Sequence, residues 1–303
     1  MTDTVKVETD DEVAQSWRLV EGDAITGDLT AVRKLGGGAA YEAMLAFDDI
    51  TYSPVVVKMV RPDQVNDESS RRGLRREVAA LAAINHPVVV RGLRHELTEP
   101  RPHLVLEHID GPRLSSLIRR YGPLQEQQYL PLAIDVAAAL HYLRHIGWTH
   151  LDIKPSNIIM GSPARLIDLS VARPEEDARR LRHLIGTDAY MAPEQCDPGE
   201  GARPSSASDV WGLGATLFEA VAGHRPFDDP QPRAAGLAER FPQVAQAPRD
   251  LPTGVPQEVR AVIDASLQRD PEARPAPYEI VDALAPVLER QPRGSLAGFK
   301  IRG

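Results

Sequence analysis

The chain is short of cysteine and aromatic residues and has no long apolar run. It has a single cysteine, Cys196, in 303 residues, which excludes an internal disulfide and suits a reducing, cytoplasmic compartment. No apolar run approaches the roughly 18 residues of a membrane-spanning helix, and the N-terminus lacks the basic and apolar regions of a signal peptide. We therefore expect no membrane segment in this chain. The sequence leaves open whether it is a fragment of a longer, membrane-anchored protein.

Basic residues are outnumbered by acidic ones. The chain has 35 Lys and Arg against 43 Asp and Glu, a formal net charge of -8 and a pI of about 5.6. A nucleic-acid interface requires a clustered surplus of basic residues. We therefore expect no nucleic-acid partner, and we interpret the negative charge as ordinary surface charge.

Apolar periodicity changes along the chain from alternation to helical spacing. The sequence accordingly predicts an acidic N-terminal tail at 1–27, a lobe of five strands and one helix at 28–108, a mainly helical lobe at 109–290, and a C-terminal tail at 291–303. Trp17 and the Leu19 and Val20 pair could anchor the acidic tail. The fourth strand is predicted to begin at Val88.

The segment from Trp148 to Arg173 holds a dense group of polar side chains in turn-rich sequence. Asp152, Lys154 and Asn157 lie within six residues, and Asp168 follows a short apolar strand. Two carboxylates, an ammonium and a carboxamide can hold magnesium and orient a hydroxyl nucleophile. The residues themselves therefore favour phosphoryl transfer.

Several motifs resemble those of eukaryotic-like (Hanks-type) bacterial serine/threonine protein kinases. They are HLDIKPSN and DLS in that segment, the glycine-rich turn LGGGAAYEA, the strand VVVK, and GTDAYMAPE further on. The resemblance implies an α+β, two-lobed protein kinase fold, with a five-stranded antiparallel sheet and one helix in a small N-lobe and a larger, mainly helical C-lobe. It also implies transfer of the ATP γ-phosphoryl group to Ser or Thr hydroxyls of a protein substrate, with Mg²⁺ as the metal.

The resemblance assigns catalytic roles residue by residue. Asp152 would accept or orient the proton of the substrate hydroxyl, and Lys154 would neutralise charge on the transferred group. Lys58 would bind the α- and β-phosphates and pair with Glu77, which follows it by 19 residues on the helix of the small lobe. The implied metal ligands are Asn157 and Asp168.

The implied nucleotide site spans much of the chain. Glu107 and Ile109 would bond adenine through their backbone, next to Leu106. Ala43 and Val56 exchange the sizes usual in the family, and together they would cover adenine opposite Ile159. The full set is Gly36, Gly38, Ala43, Val56, Lys58, Glu107, Ile109 and Ile159. Tyr41 stands where the motif has its third glycine, and it would either cap the phosphates or point to solvent.

Two departures from the family concern regulation. Leu151 stands where an arginine usually precedes the catalytic aspartate, and Ser170 stands where DLS would have glycine. In addition, the segment from Val171 to Gly186 contains no Ser, Thr or Tyr. These features predict a kinase of the non-RD type, which lacks the arginine before the catalytic aspartate. They also predict that it needs no phosphorylation of the activation loop, the segment between DLS and APE. By resemblance, Glu194 and Arg274 form a buried ion pair and Asp209 fixes the catalytic-loop backbone.

Two alternatives belong to other functional classes. A nucleotide-binding pseudokinase, acting as a scaffold or regulatory module, is suggested by the changes at positions 41, 151 and 170, although Lys58, Asp152 and Asp168 are all retained. A small-molecule phosphotransferase would share the two aspartates but is not expected to have the GT and APE sequences. The sequence leaves open a regulatory partner or a dimer.

Overall fold

The computed structural model describes residues 15–98, 100–198, 201–234 and 236–291. The chain divides into two units, one of Met1–Ala83 with Arg91–His108 and one of Ile84–Val90 with Ile109–Gly303. The expected tails fall partly outside this description, at 1–14 and 292–303. The predicted α+β class, with a five-stranded antiparallel sheet in the first unit and a helical second unit, is confirmed.

The first unit is built on one antiparallel sheet. Its strands are β1 (Leu29–Gly37), β2 (Tyr41–Asp48), β3 (Ser53–Val60), β4 (Gly92–Glu96) and β5 (His103–Glu107), in the order β1-β2-β3-β5-β4. Strand β2 alternates strictly between buried and half-buried residues. This alternation gives the sheet two distinct faces, because successive side chains point to opposite sides.

One face of the sheet is closed by the segment that precedes β1. The buried residues on this face include Met44, Val55, Val57 and Met59, and Ile25 belongs to the same cluster. Trp17 and Leu19 also pack against it, whereas Val20 is 64% exposed. Of the anchors considered for the acidic tail, Trp17 and Leu19 therefore contact the sheet and Val20 does not.

The other face of the sheet carries Lys58 and receives the helix α1 (Glu68–Ala83). Ala43 pairs with Lys58 across the strands, and Val56 pairs with Leu106. Helix α1 buries Leu74, Glu77 and Ala80, which lie at helical spacing. Helix α1 therefore places the buried carboxylate of Glu77 on the face of the sheet that carries Lys58.

The second unit consists mainly of helices. They are α2 (Leu114–Tyr121), α3 (Glu126–His145), α4 (Glu175–Arg179), α5 (Pro193–Cys196), α6 (Ser206–Ala222), α7 (Leu237–Arg240), α8 (Gln257–Ser266) and α9 (Pro277–Glu289). Helix α3 packs against α6 and α9, and α6 packs against α8. Within the ranges given above, no helix combines the length and the apolar character needed to cross a membrane.

Four short strands complete the second unit. β6 (Trp148–Thr149) pairs with β9 (Arg173–Pro174), and β7 (Ile158–Ile159) pairs with β8 (Arg165–Leu166). The strand predicted to start at Val88 begins only at Gly92, so that prediction was wrong in its boundary. The reason is that Val88, Val89 and Val90 are buried in the second unit, where Val89 forms a parallel bridge with Leu166.

Candidate active site

Two glycines of the glycine-rich turn, at the end of β1, occupy positions that a residue with a side chain would not readily fit. Gly36 has a φ of 147°, a backbone conformation that residues with a side chain rarely adopt. A Cβ on Gly37 would come within 2.9 Å of the Cα of Glu42 and closer still to the carbonyl oxygen of Tyr41. Gly38, by contrast, has open space around it. Gly37, which the motif does not single out, is thus the glycine that permits close approach of the two strands.

Lys58 and Glu77 form the predicted ion pair in the first unit. The Lys58 ammonium donates to a Glu77 carboxylate oxygen at 2.7 Å, and the side chains are only 15% and 2% exposed. Such burial makes each partner dependent on the other, because removal of one would leave a buried charge without its counter-ion. The pair therefore presents a fixed cation on the half-buried face of β3.

The adenine-contacting residues proposed for the first unit share that face. Ala43 and Val56 lie on neighbouring strands, and the cross-strand partner of Val56 on β5 is Leu106. Glu107 accepts from the backbone N–H and the guanidinium of Arg91. Ile109 and Ile159, the other two residues of the expected set, belong to the second unit and are half-buried.

Tyr41 takes neither of the two orientations considered from the sequence. Its hydroxyl donates to the backbone carbonyl of Ser70 in helix α1 at 2.6 Å. Its ring lies beside Lys58, with 5.1 Å between the ammonium nitrogen and the ring centroid. The expectation that Tyr41 caps the phosphates or points to solvent is therefore corrected: the side chain spans from β2 to α1, which it can reach because it lies on the same face as Lys58.

In the second unit, the expected catalytic loop at residues 150–157 lies beside Thr187, and together they bring four polar side chains into contact. Lys154 donates to Asp152 at 2.6 Å and to the hydroxyl of Thr187 at 2.5 Å. The Thr187 hydroxyl in turn donates to the second oxygen of Asp152 at 2.7 Å. Asn157 contributes its amide N–H groups to the Asp152 carboxylate at 3.0 Å and to the Asp152 carbonyl. Asp152 is thus a carboxylate held by three neighbours, and one of its oxygens accepts from a hydroxyl.

The β7 and β8 hairpin joins the two expected metal ligands. Asn157 directly precedes β7, Asp168 comes two residues after β8, and the N–H of Ile167 donates to the carbonyl of Asn157 at 2.8 Å. The amide nitrogen of Asn157 is engaged by Asp152, so its side-chain oxygen is the atom suited to a cation. An amide oxygen and a carboxylate are hard ligands that fit Mg²⁺.

A metal at this hairpin would require ligands from outside the protein. In the described ranges, no group of three or more His, Cys, Asp or Glu side chains could hold a metal by itself. Mg²⁺ usually keeps several waters and takes only one or two carboxylates together with substrate phosphates. The donors found here fit that pattern better than they fit a metal cage made of protein alone.

Backbone strain in the catalytic loop is maintained by Asp209. Leu151 has φ of 64°, a conformation that is costly for a bulky side chain. The Asp209 carboxylate, in the first turn of α6, accepts from the N–H groups of His150 and Leu151 at 2.8 and 2.7 Å, as predicted. Burial raises the pKa of Asp209 to about 7, although these two bonds favour its charged form.

Leu151 also packs against the segment that follows Asp168. Its side chain is 3% exposed and packs in a cluster with Ala178 and Leu181, beside the partly buried Val171 and Ile185. Gln195 ties the same region together, since its amide donates to the carbonyls of Leu151 and Ile185, both at 3.0 Å. Leu151 therefore makes apolar contacts at the position where an arginine would have needed an anionic partner.

The predicted ion pair between Glu194 and Arg274 is also present. Two guanidinium nitrogens meet the two carboxylate oxygens at 2.7 and 2.8 Å, and the side chains are 0% and 1% exposed. Ser208 adds a hydroxyl bond to Glu194 at 2.6 Å, and the guanidinium lies over the ring of Trp211. This pair connects α5 with the segment before α9, and it contacts the first turn of α6 through Ser208 and the Ala207 carbonyl.

The sequence did not indicate two polar residues that support this structure. It identified neither Gln195, which fixes Leu151 and Ile185, nor Glu42, a carboxylate only 2% exposed in β2. Glu42 accepts from the hydroxyl of Ser16 and the N–H of Trp17. The available signal for Glu42 was an acid at a buried position of an alternating strand, but no pattern names a partner 25 residues away.

The first unit has a glycine-rich strand turn and a strand lysine paired to a helix glutamate, and the second has a polar loop with an adjoining hairpin. These are characteristic parts of the protein kinase fold. Comparison with known families agrees: the model of the "Protein kinase domain" family matches residues 29–284. The chain belongs to the protein kinase domain family. Members of this family generally use ATP and a divalent metal.

The chain is also similar to curated bacterial proteins. It is 30% identical over 249 residues to "Serine/threonine-protein kinase PknB" of Mycobacterium leprae, covering 79% of this chain and 39% of that protein. It is 31% identical over 262 residues to "Probable serine/threonine-protein kinase PkwA" of Thermomonospora curvata, covering 86% of this chain and 34% of that protein. The aligned part is thus well under half the length of these relatives.

Proposed function

We propose that the chain is a catalytically active, ATP- and Mg²⁺-dependent serine/threonine protein kinase. The observation that carries this proposal is the hydrogen-bonded group of Asp152, Lys154, Asn157 and Thr187. The names of the relatives, which describe them as serine/threonine kinases, support the same activity and acceptor. We also propose a reducing, cytoplasmic setting, on the basis of the single buried cysteine.

Asp152 is proposed to act on the acceptor hydroxyl. A carboxylate oxygen that already accepts from the Thr187 hydroxyl at 2.7 Å is suited to accept from a substrate Ser or Thr hydroxyl. The acceptor oxygen then bonds to the γ-phosphorus as the bond between that phosphorus and the β-phosphate oxygen breaks and ADP leaves. The acceptor O–H bond breaks in the same transfer, and its proton passes to Asp152. Lys154, at 2.6 Å from Asp152, offsets negative charge on the transferred phosphoryl group.

The remaining residues are proposed to bind ATP and the metal. Lys58, held by Glu77, binds the α- and β-phosphates, and the backbone of the turn at Gly36 and Gly38 covers the phosphates. Asn157 and Asp168 hold Mg²⁺, which supplies positive charge against the triphosphate. Adenine contacts the backbone of Glu107 and Ile109 and the side chains of Ala43, Val56 and Ile159.

The pseudokinase alternative has less support. None of the three changes that motivated it disrupts the charged groups: Leu151 is packed, Tyr41 contacts Lys58, and Ser170 donates its N–H toward Asp168 at 3.4 Å. The Lys58 and Glu77 pair is formed. These contacts favour an active enzyme over a nucleotide-binding scaffold.

Transfer of label from γ-labelled ATP tests the activity. We expect the purified chain with MgCl₂ to label a generic protein acceptor on serine or threonine, and excess EDTA to abolish the labelling because Mg²⁺ is removed. Phosphoamino-acid analysis of the acceptor identifies the modified residue. Binding of a fluorescent ATP analogue without any transfer would instead support the pseudokinase.

We further propose that the kinase is of the non-RD type and needs no activation-loop phosphorylation. In such a kinase something other than a phosphate must hold the segment that follows Asp168. The cluster of Leu151 with Ala178 and Leu181, and the two bonds from Gln195, support this role. Apolar burial of this kind contributes without any anion, at roughly 25 cal/mol per Å² removed from water.

Phosphatase treatment tests the proposed independence from phosphate. We expect the dephosphorylated protein to keep its full kcat, because none of residues 171–186 can carry a Ser, Thr or Tyr phosphate. Intact mass before and after treatment checks that phosphate was removed. An increase in activity on phosphorylation of Ser170 or Thr187 would contradict the proposal.

A further inference from the structure

A glycine in helix α1 lies directly beneath the Tyr41 side chain. A Cβ built on Gly73 would overlap the hydroxyl oxygen of Tyr41, while the ring carbon that bears the hydroxyl would lie 3.6 Å away, at ordinary contact distance. The same hydroxyl donates to the carbonyl of Ser70, three residues earlier in the helix. The overlap thus concerns one atom of Tyr41, the oxygen that makes the bond to α1.

Gly73 requires an explanation because glycine is unfavourable within helices. Glycine inside a helix costs about 1 kcal/mol relative to alanine. Position 73 lies in the interior of α1, which continues for ten residues beyond it to Ala83. No backbone requirement accounts for the glycine, since Gly73 is not among the residues with positive φ. The space taken by the Tyr41 hydroxyl does account for it.

Tyr41 is placed to influence the residues that bind phosphate. Gly73 and Glu77 are four residues apart and therefore lie on one side of α1. The Tyr41 ring lies 5.1 Å from the Lys58 ammonium, which bonds Glu77 at 2.7 Å. A single side chain therefore contacts both the lysine and the helix that carries its partner.

We propose that Tyr41 and Gly73 form a matched pair that positions helix α1, and with it the Lys58 and Glu77 ion pair. Tyr41 is a positioning residue: it acts through Lys58 and α1. The contacts of Tyr41 with Ser70 and Gly73 are made within β2 and α1, so they require no added segment or phosphate. The effect on ATP rests on the proposed kinase function, whereas the contact between the two residues can be tested without it.

Four proteins test the pair by thermal unfolding: the wild type, Tyr41→Phe, Gly73→Ala and the double variant. In the wild-type background we expect Gly73→Ala to lower the midpoint by about 2 to 6 °C, because the new methyl group overlaps the hydroxyl. In the Tyr41→Phe background the overlap is gone, and the same change should raise the midpoint by about 1 to 3 °C through helix propensity. The expected result is a reversal of sign.

The control is a glycine substitution on the same helix but away from Tyr41. Ala79 is exposed in α1, so Ala79→Gly should lower the midpoint by the same amount in both backgrounds. The proposal is overturned if Gly73→Ala has the same effect, in sign and size, whether position 41 is tyrosine or phenylalanine.

A binding measurement separates positioning from a merely structural role. We expect Gly73→Ala to raise the KM for ATP, and the dissociation constant of a fluorescent ATP analogue, by roughly fivefold, since a net loss near that of one hydrogen bond is involved. The double variant should return both values to those of Tyr41→Phe. Unchanged nucleotide affinity in Gly73→Ala would refute the positioning role. Failure of the wild type to bind nucleotide would count against the kinase function, while the thermal cycle would still test the contact.

Discussion

Replacing Asp152 with asparagine is expected to lower kcat by about 10²- to 10⁴-fold. Asparagine keeps the size of the side chain and can still accept a hydrogen bond, but its amide does not take up a proton at neutral pH. It also removes the charge that faces Lys154 at 2.6 Å. The KM for ATP should change little, because Lys58 and Glu77 are untouched by the substitution.

The effect of Asp152→Asn is checked by steady-state kinetics with labelled ATP and by the affinity for a fluorescent ATP analogue. Asp264→Asn is a matched control, since Asp264 is an exposed acid on α8 and the same chemical change there should leave kcat unaltered. A variant that retained kcat within about threefold of the wild type would show that proton acceptance by Asp152 is not needed.

The parts of the site that could be predicted are those that the resemblance to a known family assigns. Lys58 and Glu77 pair as expected, and so do Glu194 and Arg274. The reason is that a strand lysine and a helix glutamate at a family spacing meet only if the family fold forms. The match to the family over residues 29–284 gives the same fold independently.

Side-chain direction was beyond the reach of such motifs. The glycine-rich motif, with Tyr41 at its third glycine position, indicates the path of the backbone. It does not indicate whether the Tyr41 hydroxyl points to the phosphates or to solvent. The structure turns it to Ser70 in α1, 29 residues away. The only trace in the sequence was Gly73, a glycine in an otherwise good helix, and it gains meaning only once a neighbour is known.

Long-range pairing limited the reading of the strands and the N-terminal tail. Val88, Val89 and Val90 have strand-like sequence, but alternation cannot tell which sheet a segment joins, and Val89 bridges Leu166 instead of extending β4. In the same way, the sequence indicated Trp17 as a possible anchor of the tail but did not indicate that its indole N–H would donate to the carbonyl of Val60. Such contacts depend on residues brought together only by folding.

The position before the catalytic aspartate illustrates how one substitution changes the physics of a segment. An arginine there would need an anion to offset its buried charge, whereas Leu151 needs only apolar neighbours, which Ala178 and Leu181 provide. Its left-handed backbone is held by Asp209 and Gln195. Sequence indicated the lost arginine but not what had replaced its function.

Replacing Arg274 with methionine is expected to destabilise the protein by about 3 to 5 kcal/mol. Methionine retains much of the apolar length but leaves the Glu194 carboxylate, 1% exposed, without its charged partner. The contact of the guanidinium with Trp211 and its bond to the Ala207 carbonyl are lost as well. The measurement is urea unfolding followed by tryptophan fluorescence, with the denaturant slope compared between variants.

Two further variants decide whether the loss at Arg274 comes from the unpaired charge. Glu194→Gln combined with Arg274→Met removes both charges, and it should be less destabilised than Arg274→Met alone because no ion is left buried. Arg290→Met is the control: its ion pair with Glu258 is exposed, at 57% and 44%, so little change is expected. Equal losses in Arg274→Met and Arg290→Met would mean that burial of the first pair does not determine its contribution, since the two substitutions differ chiefly in the solvent exposure of the carboxylate they leave behind.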